Sequence, residues 1–347
     1  MHTTSGPLPT SAPDPSPLDE VAFPDNGTRR DRFGAYDLIA LLGQEPMANV
    51  YLASARRGLA TQGRLVLLKV LREPFRSDPA CVDRFTREAR LALDLVHPNI
   101  GETYDLSRID GIPYLVAEYL DGVSLRTLLD RLPFASLRDR LPLLGVLCMA
   151  LSGLHHIHRM GTDEGEGRGL VHGDFRPSNI LITFDGEVKL LDVGSTSQAG
   201  PSTEAAASQI RQGVVRYIAP EAVDTDAFVD ARADIFAAGL IAWEIATGQP
   251  VWGHCDQLDI VLRLVSGDVP NVDEQSSELP DELFAICRQA MSPRARGRQA
   301  TALEFNRQLK NFLVGQDFRI DTERLGKMLR ELFGSGPAVQ DDVVGGE

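Results

Sequence analysis

Cysteine, positive charge and long apolar runs are all scarce in this sequence, and each shortage excludes something. The four cysteines, Cys81, Cys148, Cys255 and Cys287, are scattered along 347 residues, without the paired spacing of a zinc site or a redox dithiol. A reduced protein without a thiolate metal centre is expected, with the cytoplasm as its default location. Lys and Arg number 35 against 49 Asp and Glu, a formal net charge of −14. That balance argues against a protein whose main task is to coat nucleic acid or an anionic membrane. It still leaves room for one polyanionic small molecule, because a pocket can be locally cationic on an acidic surface. No run reaches the roughly 20 apolar residues of a membrane-spanning helix. The best candidate, Leu141 to Leu154, is shorter, is followed by His155, His156 and His158, and reads as a buried helix. A basic-then-apolar signal is missing at the N-terminus.

What is present is a globular composition, 43% hydrophobic and 24% charged, which a disordered chain does not reach. Residues 1–31, rich in proline, serine and threonine, read as a disordered tail, and residues 334–347 read the same way. Between them no second linker and no internal repeat interrupts the chain. Strand signals come first, at Tyr36–Leu42, Val50–Ala53, Leu65–Leu71 and Tyr114–Glu118, with a turn at Gly43–Pro46. One helix is expected over Asp83–Val96, with Phe85, Ala89, Ala92, Leu93 and Val96 on a shared face. After Gly122 the pattern is helical: Leu125–Leu132, Leu137–His158, Ala231–Thr247, Gln257–Val265, Glu282–Met291 and Ala302–Leu313. Strands followed by helices imply a segregated α+β architecture, not an alternating parallel sheet. The apolar spacing of Leu325, Met328, Leu329, Leu332 and Phe333 adds a last helix within 314–333, expected to pack on the helical part.

Two places carry the chemistry. Lys69 lies inside the apolar strand Val66–Leu71, where it either snorkels at an edge or is held by an acid such as Glu88. Glu88 is equally readable as a solvated helix acid. The second place is His172-Gly173-Asp174-Phe175-Arg176-Pro177-Ser178-Asn179, followed by a strand, a hairpin at Asp185-Gly186, and Asp192-Val193-Gly194. Asp174, Asn179 and Asp192 thus sit on loops flanking one short hairpin. Asn179 and Asp192 offer hard oxygens of the kind Mg²⁺ takes alongside phosphate, and Asp174 could accept a proton from a hydroxyl. Each alone could be a turn-forming Asx residue.

Their joint order resembles the protein kinase superfamily, in its bacterial eukaryotic-like Ser/Thr branch, over roughly residues 33 to 313. The expanded loop 161–169 is similar to that of myxobacterial kinases. The fold it implies is bilobal: a small lobe (32–121) with an antiparallel sheet and one helix, and a larger, mainly helical lobe (122–313). Leu42, Gly43 and Val50 would cover phosphate, and Lys69 would hold the α- and β-phosphates of ATP, fixed by Glu88. Main-chain groups of Glu118 and Leu120 would receive adenine, beneath Ala117 as gatekeeper, a small residue that deepens the adenine pocket. Asn179 and Asp192 would hold Mg²⁺, Asp174 would deprotonate the substrate, and Arg176 would contact the transferring phosphate. Glu221 with Arg298 would brace the large lobe, and Asp234 would anchor the catalytic loop.

Several positions depart from the family pattern. Glu45 and Ala48 replace the second and third phosphate-loop glycines, and a carboxylate at Glu45 would repel phosphate unless it turned to solvent. Gly173 replaces the arginine that reads an activation-segment phosphate, leaving Arg211 or Arg216 as substitutes. Val214 replaces a threonine beside the catalytic Asp. The resemblance therefore implies an ATP- and Mg²⁺-dependent Ser/Thr protein kinase with unusual regulation, acting on a protein hydroxyl, with neither nucleic acid nor membrane as partner. Self-phosphorylation or dimerisation is compatible with it. The alternative is a pseudokinase, a signalling scaffold that binds nucleotide or none.

Overall fold

A computed structural model describes residues 32–45, 47–56, 63–131, 136–160, 169–193, 197–198, 200–201, 215–224, 227–269 and 279–334. Six strands build the first sheet: β1 (Arg32–Phe33), β2 (Tyr36–Gln44), β3 (Ala48–Ala55), β4 (Leu65–Leu71), β5 (Thr103–Ile109) and β6 (Ile112–Glu118). They form one antiparallel sheet in the order β1-β2-β3-β4-β6-β5. Strand β4 shows why its sequence takes this form. Val66, Leu68 and Val70 alternate onto one face and pack with Tyr36, Tyr51, Ala53, Tyr114 and Val116. The intervening Leu67 and Lys69 face the other way, toward the site. Leu71 turns the end of the strand into a small cluster with Ala48 and Phe85.

Helix α1 (Pro79–Leu93) carries Phe85 to that cluster. It starts four residues earlier than the apolar periodicity suggests, because Asp78 caps Ala80 N and Pro79 fills the first turn. It also stops short of Val96, which is 73% exposed rather than on the helix face.

The larger body follows: β7 (Gly122–Ser124), α2 (Leu125–Arg131), α3 (Leu137–Arg159), β8 (Leu170–Val171), β9 (Ile180–Thr183), β10 (Val188–Leu190), β11 (Ser197–Gln198), β12 (Gly200–Pro201), α4 (Pro220–Val223), β13 (Phe228–Val229), α5 (Arg232–Thr247), α6 (Gln257–Val265), α7 (Asp281–Ala290), α8 (Ala302–Gly315) and α9 (Thr322–Phe333). Every residue of α5 from Ala233 to Ala246 is buried, so this apolar helix is the axis of the large core. Helix α3 is longer than its apolar run and is long and apolar enough to cross a membrane. Here it is a core helix, packed against α8, α5 and β10. The two cores meet at residues 97–101. Ile100 bridges Leu190, Gly101 N donates to Leu190 O, and Asn99 Nδ2 donates to Val188 O.

Candidate active site

Sheet register assembles the phosphate-facing half of the site. Gly43 of β2, Val50 of β3, Lys69 of β4 and Leu115 of β6 stand opposite one another in a single row. Opposed residues of an antiparallel sheet share a face, so Val50 and Lys69 point to the same side. Leu42 lies where the β2–β3 register shifts, between Leu41 and Gly43. The sequence places a turn from Gly43 onward, but β2 runs through Gln44. Glu45 is thereby the first residue past the strand, and its N–H donates to Ala48 O at 2.8 Å.

Lys69 ends between two carboxylates. Its Nζ lies 2.6 Å from Asp192 Oδ1 and 2.6 Å from Glu45 Oε1. Glu88, the helix acid expected to fix Lys69, instead pairs with Arg84 one turn earlier, Nε to Oε1 at 2.9 Å. The physical reason is proximity: an i,i+4 arginine shares its helix face, while Glu45 reaches Lys69 from the adjoining turn. Of the two alternatives for Glu45, the structure shows the inward one: it turns onto the lysine and not to solvent. Burial works against the Lys69 charge, but Asp192 and Glu45 outweigh it and hold the ammonium protonated well above its ordinary range. Asp192 is also buried, yet Lys69 holds its carboxyl below the usual value. Burial pushes the Glu45 carboxyl up, Lys69 opposes this, and the Asp192 charge adds to it. Asp192 has a left-handed backbone (φ 56°), which Asp tolerates better than most residues.

The other half of the site is a loop pinned from below. Asp234 of α5 accepts from His172 N (2.8 Å) and Gly173 N (2.9 Å), and its Oδ2 also bonds His158 Nε2 of α3 at 2.8 Å. Burial opposes this carboxylate, but the bonds and charges of His158 and His172 hold it below its usual range. Asp234 thus anchors the loop, as the sequence pattern implies. His172 Nε2 meets Leu191 O at 3.0 Å, tying the loop to the residue before Asp192. From this base Asp174 projects with its carboxylate held on both oxygens. Arg176 Nε lies 3.2 Å from Oδ1, and Asn179 Nδ2 donates to Oδ2 at 2.9 Å and to Asp174 O at 2.8 Å. Burial raises the Asp174 carboxyl above the ordinary range, Arg176 pulls it back, and the Asp192 charge adds to the rise.

These donors fit a hard divalent ion. The amide nitrogen of Asn179 is committed to Asp174, so its Oδ1 is the atom that could meet a metal, while Asp192 bonds Lys69 through Oδ1. Among the described residues no three His, Cys, Asp or Glu side chains gather into an all-protein cage. Two protein oxygens suit Mg²⁺, which completes its shell with water and phosphate oxygens.

At the far end of β6, Glu118 stands opposite Val66 and donates its N–H to Glu102 O at 2.8 Å. Its carboxylate takes Lys189 Nζ at 3.3 Å. Leu120 is buried, and Ala117 lies opposite Leu67. Of the bracing residues, Glu221 and Arg298 form the expected two-pronged pair, at 2.5 and 2.8 Å, with Arg298 also stacked on Phe236. Of the two substitute cations, Arg216 bonds Gly253 O and Cys255 O, and Arg211 lies outside the described residues, as do Val214 and most of the activation segment.

Sequence reasoning missed three features. The Arg84–Glu88 spacing was a visible signal for their pairing. The His158–Asp234 contact and the network of Arg126, Tyr217 and Glu244 had none, since their members lie far apart in the chain. There Arg126 Nη1 meets Glu244 Oε1 at 2.8 Å, and Tyr217 donates to Oε2 at 2.7 Å.

A cationic lysine facing a loop carboxylate across a sheet-to-helix junction is a geometry for handling phosphate, and comparison with known proteins agrees. The protein kinase domain model matches residues 36–306, and the chain belongs to that family. Tyrosine-protein kinase MasK of Myxococcus xanthus is 34% identical over 311 residues, covering 87% of this chain and 46% of that protein. Probable serine/threonine-protein kinase PknB of Bifidobacterium longum is 32% identical over 295 residues, covering 81% and 40%. The chain therefore spans less than half the length of these curated relatives. Among solved structures, the kinase domain of Mycobacterium tuberculosis PknI superposes with a TM-score of 0.56 at 25% identity, over 81% of this chain and 97% of that one. The bilobal α+β kinase fold and the bacterial Hanks-type kinship both stand.

Proposed function

We propose that this chain is a protein serine/threonine kinase that transfers the γ-phosphate of ATP to a protein hydroxyl. The observation that carries the reading is Asp174, held by Arg176 and Asn179 on a loop that Asp234 fixes, opposite the Lys69–Asp192 pair. Asp174 orients the incoming hydroxyl and takes its proton, and Lys69 neutralises phosphate charge. Asn179 and Asp192 would hold Mg²⁺, which when bound neutralises and aligns the phosphate oxygens. Leu42, Gly43 and Val50 would cover the nucleotide, and the main chain of Glu118 and Leu120 would take adenine. The preference for serine and threonine over tyrosine is supported by the PknB relatives, while MasK is named a tyrosine kinase. With Gly173 beside Asp174, control would not run through the catalytic loop. The domain limits, a cytoplasmic location and a protein partner without nucleic acid or membrane belong to the same reading, and self-phosphorylation or dimerisation is compatible with it.

Purified protein with labelled ATP and Mg²⁺, alone and with a basic protein substrate, tests it. Asp174→Ala should lower transfer at least about 100-fold, and acid hydrolysis of the product should yield phosphoserine or phosphothreonine. Wild type transferring no more label than the variant ends the reading. The second reading, a nucleotide-binding or nucleotide-free scaffold, is favoured by Lys69 facing Glu45 in place of Glu88. It would give nucleotide-dependent stabilisation, or none, without transfer.

A further inference from the structure

We propose that Glu45 is an internal gate on nucleotide phosphate: its carboxylate occupies Lys69 from the β2–β3 turn, and phosphate must displace it to reach the lysine. The inference rests on the kinase reading and specifies how the phosphate subsite of that site is controlled.

Lys69 Nζ lies 2.6 Å from a carboxylate oxygen on each side, ion-paired with Glu45 and both ion-paired and hydrogen-bonded with Asp192. The side chains of Lys69 and Glu45 are 17% and 23% exposed, so water screens the pair only in part. A phosphate approaching Lys69 would therefore meet a second anion at contact distance, and like charges at that separation repel. Glu45 is well placed to hold this position and also to leave it. Its own N–H donates to Ala48 O at 2.8 Å, which holds Glu45 at the end of β2. The side chain is fastened by the lysine, so rotation outward breaks that ion pair without disturbing the sheet. Lys69 then keeps Asp192 as its partner. The helix acid Glu88 does not share the lysine in this state, being held by Arg84. Two arrangements follow. In the closed one Glu45 neutralises Lys69; in the open one phosphate does, and Glu45 faces water.

A carboxylate competing with phosphate has a signature that packing does not share, because it discriminates ligands by charge. Binding of Mg-ATP, Mg-ADP and adenosine to the full chain would be measured by calorimetry, for wild type and Glu45→Gln. The amide keeps the shape and removes the charge. Affinity for ATP and ADP should rise about tenfold while that for adenosine stays within about twofold. Glu45→Gly, checked for folding by its melting curve, should show the same selectivity. Weaker or unchanged ATP binding in both variants overturns the gate and makes Glu45 a support for Lys69 instead. An equal gain for adenosine overturns it as well, since pocket shape would then be the cause. Phosphoryl transfer measured in parallel separates the two claims. Transfer by wild type with an unaltered ATP-to-adenosine ratio in the variants removes the gate alone. A selective gain without transfer in any variant removes the kinase reading and leaves the gate.

Discussion

Asp174 is a buried carboxylate whose ionisation is set against its surroundings. Burial raises its pKa, Arg176 lowers it, and Asp192 raises it again. A general base must be ionised, so the acid limb of the kcat/KM–pH profile, which reports the free enzyme, should lie above the ordinary aspartate range. Arg176→Gln removes the charge that restrains the rise. The limb should then move to still higher pH, beyond any fall in the plateau of kcat/KM, and an unmoved limb would assign it to another group. Gly173 is a second residue with a physical role of its own. Its backbone is left-handed (φ 77°), a region that costs a side chain about 1–2 kcal/mol. Gly173→Arg should therefore lose about 1 kcal/mol in urea unfolding even though it supplies the missing cation. Both residues were legible by position in a motif. The partners of Lys69 were not, because an apolar strand with one lysine fits any acid the fold brings near.

At the scale of elements, α9 is part of the large core and not an accessory. Leu325 and Leu329 are buried in it, Arg330 donates to Phe184 O, and the backbone of α9 lies against the β9–β10 hairpin. The contact is close enough to require glycine at Gly186, where a Cβ would sit 1.8 Å from Thr322 O. Leu329→Ala should destabilise the chain by about 2–5 kcal/mol, measured by denaturant unfolding; a loss below about 1 kcal/mol would mark α9 as peripheral. The helical spacing of 325–333 foretold the element and its apolar face, because amphipathic periodicity is local information. The limits of α1 were less legible. Asp78 and Pro79 draw its start N-terminally, and the chain leaves the helix before Val96 to reach the junction at 97–101.

For the whole molecule, two cores are joined by the 97–101 segment and by the Lys69–Asp192 pair across the site. A ligand gripped from both sides should stabilise the chain by mass action, about 2.7 kcal/mol at 100 times its Kd. Saturating Mg-ATP should accordingly raise the Tm by several degrees, and Asp192→Ala should remove most of that shift while leaving the response to adenosine. An equal response of the variant to both ligands would contradict the grip across the site.

The sequence by itself determined the segregated strands and helices, the apolar faces, and the order of Lys69, Asp174, Asn179 and Asp192. Those depend on residue type and spacing along the chain, which composition and periodicity expose. Only the tertiary structure decided which partners Lys69, Asp234 and Arg216 take. Glu45 rather than Glu88 meets Lys69, His158 joins Asp234, and Arg216 turns to carbonyls instead of the catalytic loop. Charge pairing is settled by a few ångströms of approach between segments distant in sequence, and Coulomb energy depends on that separation and on burial, neither of which a linear pattern contains.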